Sequence, residues 1–288
     1  MTDRLHSRRD GLRLIASAGL TAALSQSILL NSGSGSAAAT LEEIKKRGYM
    51  IVVTEDDFRP FEFVQDGKPT GFDNEMLDLL RKYTPIEIKQ EIIPWTGLLA
   101  GVATGKYDVA LTAAVITKER TATLDFTSPI ANATHYYVKR KSDTSINDIK
   151  DLSGKTCGLQ AGSALLGRLP ELETKLKSMG GKLGKVVEYT SYPEAYQDLA
   201  LGRTDYVVNT IINLQSLVAE KPDVFALGQA VSGPSFPAWA VKKGNTELLA
   251  MLDAFIADTK KSGKMGELQK KWFGRSMDDI PVKFTPEF

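Results

Sequence analysis

The sequence predicts an α/β protein of two lobes, and three observations support this. The 288 residues are enough for two domains of about 100–200 residues each. Short apolar strands alternate with amphipathic helices in two runs, a pattern typical of α/β units with parallel strands. Residues 131–137 and 231–238 lack this periodicity and separate the runs. We therefore expect lobe 1 over residues 40–133 and 231–288 and lobe 2 over residues 134–230, joined by two crossing segments.

The composition argues against several classes of partner. The chain is 42% hydrophobic and 25% charged, with a formal net charge of +1 at pH 7. The chain has no basic excess of the kind that indicates a nucleic-acid partner. It also has no acidic tail of the kind that indicates a basic partner. Cys157 is the only cysteine, so an intrachain disulfide is impossible. The apolar run around it predicts a buried, unreactive thiol.

Residues 1–39 predict an export signal peptide. Arginines come first, a moderately apolar run follows over residues 14–30, and three alanines at 37–39 form a small-residue cleavage site. Ser7-Arg8-Arg9 resembles the twin-arginine export signature, although Gly11 stands where that signature has Phe. The run is too often interrupted for a membrane span of about 20 apolar residues. We expect cleavage there and a periplasmic mature chain, by the twin-arginine or the general route.

The first run of elements begins with a short helix. Residues 41–48 predict a helix that ends at a glycine and leads into a strand over residues 50–53. Acidic and aromatic residues then interleave in a loop, and Asp66-Gly67 marks a hairpin turn. Residues 71–80 predict a helix with Asp73 as its N-cap. A strand over residues 86–93 completes this part.

The next stretch predicts where a ligand would bind. Apolar residues recur at i, i+3, i+4 and i+7 from Trp95, which predicts a helix that ends at Gly105. A buried strand over residues 107–114 follows, and residues 117–120 turn polar, where a new helix can begin. Ligand sites in open α/β sheets lie at the carboxyl ends of strands. Arg120 therefore stands at an expected site.

The second run repeats the alternation of strand and helix. Ala161-Gly162-Ser163 is expected to open a helix directly after a strand, and a capping box at residues 191–194 begins another. The predicted elements, in order, are strand 156–160, the helix from 161, strand 186–189, helix 191–202, strands 206–209 and 238–242, and helices 246–261 and 265–273.

Eight short motifs follow one another along the chain. They are Thr54-Glu55 with Phe58-x-Pro60-Phe61-Glu62, Gly71-Phe72-Asp73-x-Glu75, Gly105-Lys-Tyr-Asp108, Ile116-Thr-Lys-Glu-Arg120, Asp125-Phe-Thr-Ser-Pro129, Gln160-Ala-Gly162-Ser163, Gly202-Arg-Thr-Asp205 and Lys271-Trp-Phe-Gly274. In this order they resemble the family 3 bacterial extracellular solute-binding proteins, the polar amino-acid receptors of ABC importers. The resemblance implies a type II periplasmic-binding-protein fold, with two α/β lobes joined by two hinge strands and the ligand in the interlobe cleft.

The resemblance assigns Arg120 to the α-carboxylate of the ligand. A guanidinium is planar and matches a carboxylate with two parallel hydrogen bonds. The alternative is a surface ion pair with Glu119 or Asp125. Arg120 is therefore the residue on which the site prediction depends most.

Other positions would complete the walls of the site. The amides of Gly162, Ser163 and Ala164, at a predicted helix start, would also contact the carboxylate because free N–H groups there favour an anion. Phe58 and Trp95 match aromatic wall positions, although an aromatic residue on a helix face is often part of the core. Glu55 matches an acidic position that binds a distal cationic group; a solvated loop carboxylate is the alternative.

Two departures from the family pattern bear on the ligand. Val115, preceded by Ala113 and Ala114, stands where the family has Ser or Thr. Thr210 stands where the family holds the α-ammonium with Asp, and a hydroxyl cannot neutralise that charge. Either Glu55 takes over the amine, or the ligand is a less cationic organic acid or amino-acid derivative.

The expected function is that of a receptor without catalytic residues, cofactor or metal. Its partners would be a small-molecule ligand, an amino acid or organic acid, and an ABC permease at the inner membrane; the protein would be a monomer. One alternative is an exported cyclohexadienyl dehydratase, but its catalytic glutamate corresponds to Asn213, which is no general acid. His135 has no Ser or Cys nearby in sequence, and no metal, P-loop or nucleophile-elbow motif occurs. A periplasmic sensor is the other alternative.

Overall fold

The computed structural model describes residues 39–288, so the predicted export signal lies outside the described residues, except for Ala39. The helices are α1 (Leu41–Arg47), α2 (Phe72–Tyr83), α3 (Leu98–Thr104), α4 (Leu169–Ser178), α5 (Tyr192–Ala200), α6 (Ile211–Glu220), α7 (Thr246–Lys261) and α8 (Lys264–Phe273). The strands are β1 (Tyr49–Glu55), β2 (Asp57–Phe58), β3 (Glu62–Gln65), β4 (Lys68–Thr70), β5 (Glu87–Ile93), β6 (Val109–Val115), β7 (Leu124–Phe126), β8 (His135–Arg140), β9 (Cys157–Gln160), β10 (Val186–Tyr189), β11 (Tyr206–Thr210), β12 (Phe225–Ala230) and β13 (Pro237–Lys242).

Two five-stranded sheets organise the molecule. The first has the order β5-β1-β6-β13-β7 and the second has the order β10-β9-β11-β8-β12. In each sheet the first three strands are parallel and the fourth runs antiparallel to both neighbours. We call the part built on the first sheet lobe 1 and the part built on the second lobe 2. The two-lobed α/β prediction is confirmed, with mixed rather than purely parallel sheets; the residue boundaries of the lobes stay a prediction.

Strand β13 completes the first sheet after the chain has built the second. It lies between β6 and β7, and its Trp239 is fully buried. The Trp239 ring stacks on Phe255 of α7 with centroids 5.9 Å apart. Trp239 Nε1 also donates a hydrogen bond of 2.8 Å to Asp73 Oδ1. This packing links the returning chain to α2 and fixes the strand beside β6.

The N-cap prediction for Asp73 is therefore wrong. Helix α2 begins at Phe72, and Gly71 is its N-cap with φ 113°. A Cβ at Gly71 would lie 2.4 Å from the Phe61 carbonyl oxygen, so only glycine permits this approach. Asp73 lies one residue inside the helix, where its carboxylate accepts the hydrogen bond from Trp239.

Two further helix predictions begin too early. Helix α3 starts at Leu98, after Gly97 in a left-handed conformation, so Trp95 lies in the preceding turn rather than on the helix. Gly162, with φ 70°, likewise holds residues 161–163 in a turn, and α4 starts only at Leu169. The polar stretch at residues 117–120 leads only to a single 3₁₀ turn, Arg120–Ala122.

Five elements were not predicted: β2, β7, β8, α6 and β12. Strand β7 has only 3 residues, too few to show a period. Helix α6 follows β11 directly, with Thr210 serving as both the last strand residue and the N-cap. No glycine or proline marks that junction, which is why the sequence pattern does not reveal it.

The prediction of a buried thiol is confirmed. Cys157 lies in the lobe 2 core with Tyr206, Val207 and Leu159. Burial raises the pKa of the Cys157 thiol to about 12, so it stays protonated at neutral pH. In lobe 1, burial also raises the pKa of the neighbouring Glu62 and Asp73 carboxyls.

Among residues 39–288, none of the helices combines the length and the apolar composition that crossing a membrane requires. Within the same range, no group of three or more His, Cys, Asp or Glu side chains is arranged to hold a metal ion.

Candidate functional site

A cavity lies between the lobes at the point where four strands end. Glu55, Val115, Gln160 and Thr210 are the last residues of β1, β6, β9 and β11, and all four line the cavity. His135, the first residue of the antiparallel strand β8, lines it too. The cavity volume is about 30 Å³, room for about one or two water molecules.

Arg120 spans the cleft with its guanidinium. Nη1 donates to the carbonyl oxygen of Val115 in lobe 1 at 2.8 Å, and Nη2 donates to that of Gly162 in lobe 2 at 3.1 Å. The guanidinium carbon lies 5.1 Å from the centroid of the Trp95 ring. Asp125 pairs with Lys243 at 2.7 Å instead. The polar fork of Arg120 therefore points into the site.

Burial lowers the pKa of Arg120 to about 10, against the opposing effects of Glu119, Tyr192 and Glu55. The guanidinium still keeps its positive charge at neutral pH. Both carbonyl partners of Arg120 are neutral, so its charge meets no carboxylate at hydrogen-bonding distance among the described residues. An anionic group would supply that missing charge complement.

Glu55 forms the second link between the lobes. Its side chain is only 3% exposed, so the interpretation as a solvated loop carboxylate is wrong. Glu55 Oε1 accepts a hydrogen bond of 2.8 Å from Gln160 Nε2 across the cleft. Burial raises the pKa of Glu55 to about 8, helped by Asp56 and Asp57, while Gln160 and Arg120 act in the opposite direction. Glu55 therefore titrates near neutral pH.

Aromatic rings close the sides of the cavity. Phe58 of β2 packs against Tyr192 at the start of α5 with ring centroids 5.9 Å apart. Trp95 approaches the turn after β9 so closely that a Cβ at Gly162 would lie 3.4 Å from the indole nitrogen. Ser163 Oγ lies 3.4 Å from the Tyr192 hydroxyl. The two aromatic residues predicted as walls thus face the cleft from lobe 1.

Thr210 uses its hydroxyl within the protein. As the N-cap of α6, Thr210 accepts a hydrogen bond at Oγ1 from the backbone N–H of Asn213. The same hydroxyl donates to the side-chain oxygen Oδ1 of Asn213. Asn213 Nδ2 in turn donates to the Arg59 carbonyl oxygen in lobe 1 at 2.6 Å. Asn213 stands at the position that corresponds to a catalytic glutamate. Its side-chain oxygen and nitrogen are both engaged in hydrogen bonds. Thr210 contributes little free polar capacity to the cavity.

The structure brings all ten predicted site residues to this cleft. Nine of them line the cavity, namely Glu55, Phe58, Trp95, Ala113, Val115, Arg120, Ser163, Ala164 and Thr210. Gly162 stands beside them through the hydrogen bond from Arg120. The helix-dipole argument for residues 162–164 is wrong, because a turn and a 3₁₀ segment precede α4. Their binding roles stay predictions.

Seven further lining residues were not predicted. Five of them carry polar side chains, namely Thr112, His135, Gln160, Tyr192 and Asn209, and the other two are Ala114 and Leu165. Gln160 opens one of the eight motifs and ends a predicted strand, so the sequence pattern could have identified it as a site residue. Only the pairing of the strands shows that His135 reaches the cleft, because it lies opposite Thr210 in the β8–β11 ladder.

A larger cavity adjoins the cleft. Its volume is about 580 Å³, and it shares Phe58, Tyr192 and Asn209 with the smaller one. The Phe58 and Tyr192 rings thus stand between the two spaces.

Comparisons with known proteins agree with this architecture. The family model of the bacterial extracellular solute-binding proteins, family 3, matches residues 50–275. The chain is 30% identical over 272 residues to the L-cystine-binding protein TcyJ of Escherichia coli strain K12, covering 93% of this chain and 97% of that protein.

Two solved structures are similar in fold as well. An ancestral arginine-binding protein bound to arginine superposes with a TM-score of 0.69 at 32% identity, covering 79% of this chain and 99% of that chain. The ancestral amino acid-binding protein AncCDT-1, a precursor of cyclohexadienyl dehydratase, gives a TM-score of 0.71 at 27% identity, covering 81% and 98% of the two chains.

Proposed function

The chain belongs to the bacterial extracellular solute-binding proteins of family 3, and on that premise we propose that it is the periplasmic receptor of an ABC importer. It captures a small carboxylate-bearing ligand, an amino acid or a derivative, by closure of the two lobes. It then delivers the ligand to a permease in the inner membrane. The receptor acts as a monomer, without catalytic residues, cofactor or metal.

One observation carries the proposal: the guanidinium of Arg120 lies between the lobes with hydrogen bonds to neutral carbonyls of both. A ligand carboxylate that replaced these carbonyls would gain two charge-assisted hydrogen bonds. The Ala164 amide is available to the same carboxylate, because among the described residues it donates to no acceptor. Arg120 therefore holds the anionic end of the ligand in this proposal.

The ligand class follows from the relatives and from Glu55. The relatives that resemble this chain are named for cystine and arginine, both amino acids with a second polar end. Glu55 is the acidic group that would meet a distal cationic end. The cavity of about 30 Å³ is too small for either ligand, so entry requires the lobes to separate, as in hinge closure around a ligand.

A ligand screen by thermal unfolding tests the proposal. Amino acids, opines and organic acids are added separately, and the cognate ligand is expected to raise the melting temperature because it binds only the folded state. Small-angle scattering with the best ligand should then show compaction. A panel that gives no stabilisation would contradict the receptor proposal, and stabilisation without compaction would contradict closure.

An exported enzyme on the same scaffold is the second candidate, favoured by the similarity to AncCDT-1. Asn213 argues against it, because its amide is held by Thr210 and Arg59 and cannot act as a general acid. Incubation with prephenate or arogenate separates the two functions. Appreciable turnover would replace the receptor proposal with this one.

A further inference from the structure

His135 is a buried histidine that faces the cleft. It is 1% exposed, lines the cavity and lies directly opposite Thr210 in the β8–β11 ladder. Residues opposite each other in an antiparallel pair share one face of the sheet, with Cβ atoms about 4.5–5.5 Å apart. His135 therefore stands beside the Thr210 hydroxyl, which is already committed to capping α6.

The hydrogen bonds around Nδ1 define the tautomer of His135. Nδ1 lies 3.0 Å from Ser232 Oγ and 3.5 Å from Ser235 Oγ. Ser232 Oγ donates its own proton to the Gly233 carbonyl oxygen at 3.0 Å, so towards the ring it acts as an acceptor. On this hydrogen-bond pattern we assign the ring proton to Nδ1, which leaves Nε2 with a lone pair.

Nε2 is buried and has no hydrogen-bond partner among the described residues. Leaving a buried acceptor unpaired costs free energy, because the group has lost its hydrogen bond to water without gaining another. Protonation does not relieve this cost, because burial and the positive charges of Arg168 and Arg120 lower the pKa of His135 to about 3. The ring therefore stays a neutral acceptor at the wall of the cleft.

We propose that His135 Nε2 accepts a hydrogen bond from the nitrogen of the bound ligand and so selects carboxylates that carry an α-amino group. This inference rests on the proposed receptor function. It answers the question raised by Thr210, since the acceptor missing at that position is supplied by the neighbouring strand. Arg120 would bind the carboxylate, His135 would orient the amine, and the Glu55 carboxyl would supply negative charge by ionising beside a bound cationic group.

A paired-ligand experiment tests the inference. Calorimetry compares L-arginine with 5-guanidinopentanoate, and L-cystine with 3,3′-dithiodipropionate, which lack the α-amino groups. Wild-type protein is expected to favour the amino acid, and His135→Leu to reduce that preference by about tenfold, the equivalent of one buried hydrogen bond. His135→Gln, which places an amide oxygen near the Nε2 position, should restore part of it.

The outcomes distinguish the two proposals. If wild-type protein binds none of these probes and nothing in the wider screen, the receptor function fails and the inference fails with it. If it binds but His135→Leu weakens both members of a pair equally, His135 is structural and only the inference is overturned.

Nitrogen NMR reads the protonation state of His135 directly in the wild-type protein. The chain has two histidines, and His135→Leu identifies the signal of interest. An imine-type Nε2 that shifts on addition of the amino acid, but not of its deaminated analogue, is expected. A protonated Nε2 would overturn the inference.

Discussion

The two lobes contribute different chemistry to the same cleft. Lobe 1 presents the ionisable groups, the Arg120 guanidinium and the Glu55 carboxyl, both near the ends of strands in the first sheet. Lobe 2 presents neutral groups: the Gln160 amide, the Ser163 hydroxyl and the His135 imidazole. The strand order is equivalent in the two sheets, so this difference lies in the side chains and not in the architecture.

The asymmetry indicates an order of events. Charges act over a distance of about a Debye length, roughly 8 Å at physiological ionic strength, so lobe 1 can attract and hold a ligand while the lobes are apart. Neutral donors and acceptors act only in contact, so lobe 2 responds to the shape and hydrogen-bonding groups of a ligand already in place. Under the proposed receptor function, capture would therefore belong to lobe 1 and discrimination to lobe 2.

The largest expected effect comes from removing the positive charge of lobe 1. Arg120→Ala should weaken binding of the cognate ligand by about 2–5 kcal/mol, since a desolvated carboxylate loses its charged partner. Calorimetry measures this directly. Arg81→Ala, which removes an exposed arginine of α2 paired with Asp78, serves as the control. Unchanged affinity in Arg120→Ala would remove the distinction between the lobes.

The next effect concerns the negative charge of lobe 1. The closed cleft raises the pKa of Glu55 from 4.5 to about 8, so between these values the closed form keeps a proton that a solvated carboxylate releases. Raising the pH through this window therefore destabilises closure, by up to about 1.4 kcal/mol per pH unit. Below pH 4.5 the Glu55 carboxyl is protonated both in the closed cleft and in solvent, so the closed form keeps its full stability.

Thermal unfolding at several pH values tests this, with Glu55→Gln as the matched variant. Glu62 and Asp73 also have raised pKa values, so the difference between wild type and variant is the informative quantity. Identical pH profiles would show that Glu55 does not titrate in the cleft.

A smaller effect is expected on the neutral side. Gln160→Ala removes the amide that donates to Glu55 across the cleft and should destabilise the closed form by about 1–3 kcal/mol, the cost of a buried acceptor left without a partner. Scattering would report a larger average radius. Gln197→Ala, at an exposed glutamine of α5, is the control and should leave the radius unchanged.

The smallest effect is expected at Ser163. Its hydroxyl accepts from the Leu165 amide at 3.3 Å and lies 3.4 Å from the Tyr192 hydroxyl, both long contacts. Ser163→Ala should weaken ligand binding by about 0.5–1.5 kcal/mol, as measured by calorimetry beside Ser178→Ala on α4. A loss equal to that of Arg120→Ala would mean that lobe 2 also captures.

The sequence predicted the architecture because strand and helix periodicities are local properties. It placed the ends of β1, β6 and β11 at residues 53, 114 and 209, within two residues of their positions in the structure, because apolar runs stop there. It misplaced Asp73, since the partner of that carboxylate, Trp239, lies 166 residues away. It missed His135 for the same reason, with Ser232 lying 97 residues further along the chain.

The helix expected from residue 161 failed for a conformational reason. Gly162 adopts φ 70°, and a left-handed residue cannot lie inside a right-handed helix, so no helix runs through residues 161–163. The sequence shows the glycine but not its dihedral angle, so a helix start and a turn were equally compatible with it. The Arg120 hydrogen bond to the Gly162 carbonyl depends on that turn.

The late arrival of β13 has a consequence for folding. All strands of the second sheet precede β13 in the chain, and β7 pairs only with β13 in the first sheet. The closure of β13 onto β6 must span the whole second lobe, and such non-local pairing is slow. Lobe 2 should therefore fold first, and the edge of β6 that faces β13 should stay unpaired until then. Pulsed hydrogen exchange during refolding checks this: the amides of β9 and β11 should be protected before those of β6.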